Sequence, residues 1–288
     1  MIATVLAHPH TGALPHSFVV EEPQSIILRH GTLSDLETIL HIGLTAMPMD
    51  PQWNYRFPHR RAFPQDQRDA TRRRYREFLE DERRYSVWIA EALGAGGLIP
   101  VAFAVWDISN LTGGASRAPK APTLKTTQSV RRDAEPKRMQ AWKQILQEAK
   151  AQYFQSEYGS RQIQLQILAT HPKYQRLGAG SRLVNEGIQF AEASSKAISV
   201  FASPMGRRLY SKLGFKTITS ITVQAGGETE SVSVEAMVYE PEYRIHEQVK
   251  NEQARDRSRS GAPIWLSGTE AVRAPSHAAF PEWQSAML

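Results

Sequence analysis

Apolar and polar residues alternate from Gln162, with Ile163, Leu165 and Ile167 on one face and Gln162, Gln164 and Gln166 on the other. That is the period of a half-buried strand. Leu168 and Ala169 break the alternation, and His171-Pro172 stops the strand, because proline has no N–H for a ladder and holds its predecessor extended. In the following Gln175-Arg176-Leu177-Gly178-Ala179-Gly180, two glycines one residue apart leave backbone amides uncovered by Cβ atoms. From Ser181 to Ala193 the period becomes helical, with Leu183, Val184, Gly187, Ile188 and Ala191 on one side. The pattern predicts a strand that leads through an amide-lined loop into a helix N-terminus.

The flanking segments extend this picture. Ser25–His30 reads as a first strand, followed by a helix from Ser34 to about Met47 that is capped by Ser34 or Asp35 and buries Leu36, Ile39, Leu40, Ile42 and Leu44. Proline and aromatic residues between Met47 and Pro64 predict an ordered loop rather than a helix. A helix is expected over Asp66–Tyr85, with Tyr75, Phe78 and Leu79 on one side. Strands at Ser86–Leu93 and Ile99–Ser109 then form a hairpin across Gly94–Gly97. From Asn110 to about Val130 nothing can form a core, and Arg131 to about Tyr158 reads as a helix with Met139, Trp142, Ile145, Leu146, Ala149 and Tyr153 in a stripe. Ala197–Ala202 is a buried strand, Met205–Leu213 a helix ended by Gly214, and Lys216–Gln224 with Ser231–Glu240 a second hairpin. These elements define one domain over 25–241, with a loose arm at 1–24 and a disordered tail at 242–288.

Composition narrows the chemistry. The 288 residues are 41% hydrophobic, enough for a substantial core. There is no cysteine, which excludes a thiol nucleophile, disulfides and thiolate metal sites together. The nine histidines are scattered and none forms a helical zinc pair. The first residues lack a basic segment and are broken by Pro9 and Pro15, and no apolar window reaches membrane-spanning length. The expectation is a soluble, cytoplasmic protein with no membrane partner. A formal charge of +6 favours an anionic ligand. The arginines of 66–85 invite a nucleic-acid reading, but Glu77, Glu80, Asp81 and Glu82 lie among them, and a solvated helix face is the better account.

Free amides and the positive end of a helix dipole aimed at one place suit a phosphate. The loop lacks the lysine of a Walker A motif and the three glycines of the dinucleotide fingerprint. It resembles the pyrophosphate loop of the GNAT superfamily of acetyl-CoA-dependent N-acetyltransferases, Gln/Arg-x-x-Gly-x-Gly/Ala, filled here by Gln175, Gly178 and Gly180. One strand later, Arg208-Leu209-Tyr210-Ser211-Lys212-Leu213-Gly214-Phe215 resembles the second GNAT signature, a tyrosine-bearing helix closing on Leu-Gly-Phe. A looser likeness to the opening of GNAT domains runs from Leu28-Arg29 to Asp35-Leu36.

The resemblance implies an α/β (α+β) domain with a mixed, mostly antiparallel sheet flanked by helices, carrying an insertion at 110–160 between the third and fourth strands. It further implies an acyltransferase that moves an acetyl group directly from acetyl-CoA to an amine. Pyrophosphate would be held by the amides of Arg176, Leu177, Gly178, Ala179, Gly180 and Ser181. Backbone of Leu168, Ala169 and Thr170 would bind the pantetheine arm and the thioester. Tyr210 falls where the family often keeps a general acid, while Ser203 and Lys212 would meet the coenzyme arm and its 3′-phosphate. Several family members place a glutamate base on the fourth strand, and here only glutamines stand there. Glu91, Asp107, His171 and Glu235 remain as candidates elsewhere, as does a water relay or an acceptor that arrives neutral. Trp53, Tyr55 and Phe57 could wall the acceptor pocket or pack a loop onto the body. The acceptor is expected to be a small amine; a protein terminus or lysine, and a non-catalytic acyl-CoA-binding module, are the alternatives.

Overall fold

The computed structural model describes residues 25–94, 96–111 and 131–241. The arm at 1–24, most of the low-complexity connection at 112–130 and the tail from 242 lie outside the described residues.

Seven strands form one sheet in the order β1-β2-β3-β4-β5-β7-β6. They are β1 (Ile26–His30), β2 (Tyr85–Gly94), β3 (Gly97–Asp107), β4 (Gln162–Thr170), β5 (Ala197–Ala202), β6 (Lys216–Gln224) and β7 (Ser231–Tyr239). All neighbouring pairs are antiparallel except β4 and β5. The helices are α1 (Leu36–Ala46), α2 (Pro51–Arg56), α3 (Pro64–Glu80), α4 (Pro136–Ala149), the short α5 (Ser156–Tyr158), α6 (Ala179–Ser194) and α7 (Pro204–Lys212). A π-helical stretch, Lys150–Gln155, joins α4 to α5.

Both faces of the sheet are covered. On one, Leu183, Val184 and Ala191 of α6 and Tyr210 of α7 meet Trp106, Ile163, Leu165, Ile198 and Val200. Gly187 allows α6 to sit directly on Trp106, since a Cβ there would overlap the indole. On the other face, α1 and α3 pack Ile39, Leu40, Tyr75 and Phe78 against Val87, Ile89, Phe103 and Val105. The insertion continues that second layer, with Phe154 fully buried among Phe201, Ile221, Val234 and Ala236. Burying side chains of this size contributes about 1.5–3 kcal/mol each.

Four sequence expectations are corrected. The region from Met47 to Pro64 is not a plain loop: a 3-10 turn (Met47–Met49) and α2 stand in it. Asp50 caps α2, accepting from the Gln52 amide at 3.2 Å, and Pro51 occupies the first helical position, where its missing N–H costs nothing. Neither Ser34 nor Asp35 caps α1 through its side chain. Asp35 instead takes the Thr32 amide at 2.8 Å and two bonds from the Arg29 guanidinium at 2.7 and 2.9 Å. The helix expected to reach Tyr85 ends at Glu80, and Tyr85 opens β2.

The fourth correction concerns β4. Gln162 and Gln164 are buried, at 1% and 7% exposure, because the insertion covers the face expected to be wet. Gln162 donates to the Phe154 carbonyl at 2.9 Å and accepts from Ser199 at 2.7 Å, so the buried amide is satisfied. Opposite β3, Val105 pairs with Ile167 and Trp106 with Leu165, which leaves Gln166 as the extra residue of a bulge. The bulge resets the faces. Ile163 and Leu165 join the α6 layer, whereas Ile167 and Ala169 pack toward α1 and α3.

Candidate active site

β4 and β5 are paired only from Gln162/Ala197 to Leu165/Val200. Beyond that point, where Gln166 bulges, the two strands part and a cleft of about 1240 Å³ opens. Its walls include Gln164 to Thr170 of β4, Val200, Phe201 and Ser203 at the end of β5, and the loop that enters α6.

The loop follows from local chemistry. Pro172 ends the ladder and starts a 3-10 turn through Tyr174. Gln175 then returns its side-chain amide to the Thr170 carbonyl at 3.2 Å, which ties the loop base to the strand end. Arg176 (φ 68°) and Gly178 (φ 91°) turn the backbone through the left-handed region, and Gly178 is the N-cap of α6. The amides of Ala179, Gly180 and Ser181 in the first turn have no intrahelical partner. A Cβ at Gly180 would touch Leu209 of α7 at 3.5 Å and Thr170 and Leu168 of β4 at 3.6 and 3.8 Å, and Ala179, Gly180 and Ser181 all line the cleft.

The opposite wall is α7. Ser203 caps it by accepting from the Gly206 amide at 3.3 Å, and Gly206 lets the Tyr210 ring lie over the first turn, since a Cβ would stand 2.9 Å from that ring. Tyr210 lines the cleft, and burial, with the charge of Asp50 added, pushes its phenol above the usual tyrosine range. It stays a proton donor at neutral pH.

The structure brings together Leu168, Ala169, Thr170, Gln175, Arg176, Gly178, Ala179, Gly180, Ser181, Ser203, Tyr210 and Lys212 on this one cleft. Leu177 is the exception among the sequence-derived residues, with its side chain 40% exposed and outside the lining. The candidate bases lie elsewhere. Glu91 pairs with Arg29 at 2.8 Å, and Asp107 accepts from the Ser109 hydroxyl at 2.6 Å. His171 accepts from the Lys173 amide, and Glu235 stands on β7 opposite Ala202 and Ser220. None of the four lines the cleft. Of the three aromatics, Trp53 and Phe57 line it, whereas Tyr55 is buried and accepts from the Ala225 amide at 2.9 Å.

Sequence reasoning missed Asp50 and Arg56, at the two ends of α2 and both in the cleft wall. The Arg56 guanidinium lies 4.3 Å from the Trp142 ring centre and 5.1 Å from that of Phe57. Its Nε donates to the Gln52 carbonyl at 3.2 Å, and it makes no ion pair among the described residues. Burial pulls its pKa down to about 10. The sequence signal for this helix was Asp50-Pro51, an N-cap followed by proline at the first helical position.

A family model described as the acetyltransferase (GNAT) domain matches residues 123–229. The match falls on the part of the chain that holds β4, the loop into α6, β5, α7 and β6. Among solved structures, the chain is similar to a polyamine N-acetyltransferase from Drosophila melanogaster that catalyses formation of N-acetylagmatine, at 14% identity and TM-score 0.49, covering 75% of this chain and 100% of that one. It is similar also to the histone acetyltransferase HPA2 and related acetyltransferase from Corynebacterium glutamicum, at 20% identity and TM-score 0.46, covering 75% and 97%. A third is the PaiA N-acetyltransferase from Thermoplasma acidophilum in complex with coenzyme A, at 12% identity and TM-score 0.43, covering 75% and 99%. No curated protein matches the chain.

Proposed function

We propose that this protein transfers the acetyl group of acetyl-CoA directly to the primary amine of a small molecule. The observation that carries the reading is the parting of β4 and β5 beneath a helix N-terminus with free amides, with Tyr210 on the facing wall. Pyrophosphate would lie on the amides of residues 176–181, where partial positive charge is fixed and needs no reorganisation. The unpaired edge of β4 at Leu168–Thr170 would take the pantetheine arm as a further strand takes a sheet edge, and Lys212 would stand near the 3′-phosphate.

In this arrangement the amine attacks the thioester carbon while Tyr210 protonates the departing sulfur. A phenol held above its usual range serves that step, because it keeps its proton until a thiolate forms beside it. Arg56 supports an acceptor that also bears an anionic group, since its desolvated guanidinium lines the cleft and, among the described residues, forms no ion pair. Release of free thiol from acetyl-CoA on addition of amines tests the proposal: turnover with an amino-acid-like amine is expected, and its absence across aliphatic, aromatic and amino-acid amines would refute it.

A further inference from the structure

An acetyltransferase needs a group to hold and deprotonate an aliphatic amine, which is an ammonium ion at neutral pH. β4 offers Gln162, Gln164 and Gln166 and no carboxylate. Gln162 is used up beside Ser199 and Phe154, and Gln166 donates to Gln164 at 2.9 Å.

Among the described residues, the cleft has one acidic lining residue, Asp50. It stands between the 3-10 turn Met47–Met49 and α2, 8% exposed. Oδ1 accepts from the Gln52 amide at 3.2 Å and Oδ2 from the Gln52 side chain at 3.4 Å, and among the described residues it forms no ion pair. A carboxylate has about four acceptor sites, so capacity toward the cleft remains. Its charged surroundings are Arg56 on the same helix, Arg131 beyond Arg56, and Tyr210 across the cleft. The other ionic residues of the lining, Arg74, Arg176, Arg208 and Lys212, are all cations and would repel an ammonium.

We propose that Asp50 binds the ammonium group of the acceptor and receives its proton as the acetyl group is transferred. The inference rests on the acetyltransferase reading. R–NH3+ gives one proton to the Asp50 carboxylate, and the nitrogen lone pair forms the C–N bond while the carbonyl π pair moves to oxygen. The carbonyl then re-forms and the C–S bond breaks, its electron pair leaving with sulfur. Tyr210 protonates that sulfur, and the second N–H proton, lost as the amide forms, restores the phenol. Asp50 finally releases its proton to solvent.

The test compares wild type with Asp50→Asn and Asp50→Ser. Both keep an N-cap for α2 and remove only the charge or its reach. Expected are an unchanged melting temperature and unchanged coenzyme A affinity by calorimetry. Thiol release with an aliphatic amine should fall on the order of 100-fold or more, while release with an aromatic amine, which is uncharged at neutral pH, stays near wild type. Equal turnover of the aliphatic amine by wild type and both variants overturns the role of Asp50 and leaves the acetyltransferase reading standing. An equal loss with both amines also overturns it, because only a structural role would behave so. Wild-type protein that binds no coenzyme A overturns both.

Discussion

Ser199 donates to the Gln162 side-chain oxygen at 2.7 Å, and the same glutamine donates to the carbonyl of Phe154 at 2.9 Å. This buried bridge locks β4 to β5 where they still pair and ties the insertion to both, one turn of the pleat below the point where the cleft opens. Ser199→Ala would leave the glutamine oxygen buried without a donor, at a cost of about 1–3 kcal/mol. In a domain of this size each kcal/mol lowers the melting temperature by about 2–4 °C. Calorimetric melting should show that loss with coenzyme A affinity retained.

The Arg29–Asp35 pair predicts an acid-sensitive entry to the fold. Hydrogen bonds from the guanidinium, then the Thr32 amide and hydroxyl, hold the Asp35 carboxyl below its ordinary value against its partial burial. A carboxylate depressed in the folded state stabilises fully above its unfolded pKa, about 3.9, and that contribution disappears as pH falls through the lower folded value. Asp35→Asn should therefore destabilise at pH 7, and its difference from wild type should shrink as pH falls below about 3.9. Urea midpoints followed from pH 7 downward check the sign.

Tyr210→Phe removes one oxygen and keeps the ring against Phe215. If the phenol is the proton donor, kcat should fall by a factor on the order of 10²–10⁴ with coenzyme A affinity nearly intact. Single-turnover kinetics and calorimetry on the same sample separate the two. Unchanged turnover would remove the assignment.

Arg56→Met exchanges a desolvated cation for an apolar side chain among Trp53, Phe57 and Trp142. Stability should hold or rise, because Arg56 forms no ion pair among the described residues and a burial cost is relieved. KM for amines that carry an anionic group should rise about 10- to 100-fold, from the loss of a charge-assisted bond, while amines without such a group are affected little. A KM series over matched amines gives the answer.

The path of β4 into α6 was legible because its signals are local: a period of two, a proline stop, two glycines and then a helical period. Even the bulge left a mark, since the break in alternation at Leu168 and Ala169 is the downstream trace of the extra residue at Gln166. The burial of Gln162 and Gln164 was not legible. It depends on Phe154 arriving from the insertion, which no local pattern records. α2 was hidden because six residues hold too little periodicity to outweigh the prolines and aromatics around them. The meeting of Asp50 with Tyr210 is likewise tertiary, brought about by a turn and a helix 160 residues apart packed on the same opening.

Under the proposed function the main-chain amides from Arg176 to Ser181 hold the coenzyme's diphosphate. Isothermal titration of the full chain with coenzyme A and, separately, with pantetheine, which lacks the diphosphate and the phosphorylated adenosine beyond it, probes that grip. Coenzyme A should bind measurably and pantetheine at least about 100-fold more weakly, as loss of several charge-assisted bonds requires. Equal affinity for the two, or no binding of coenzyme A by folded protein, would overturn the assignment.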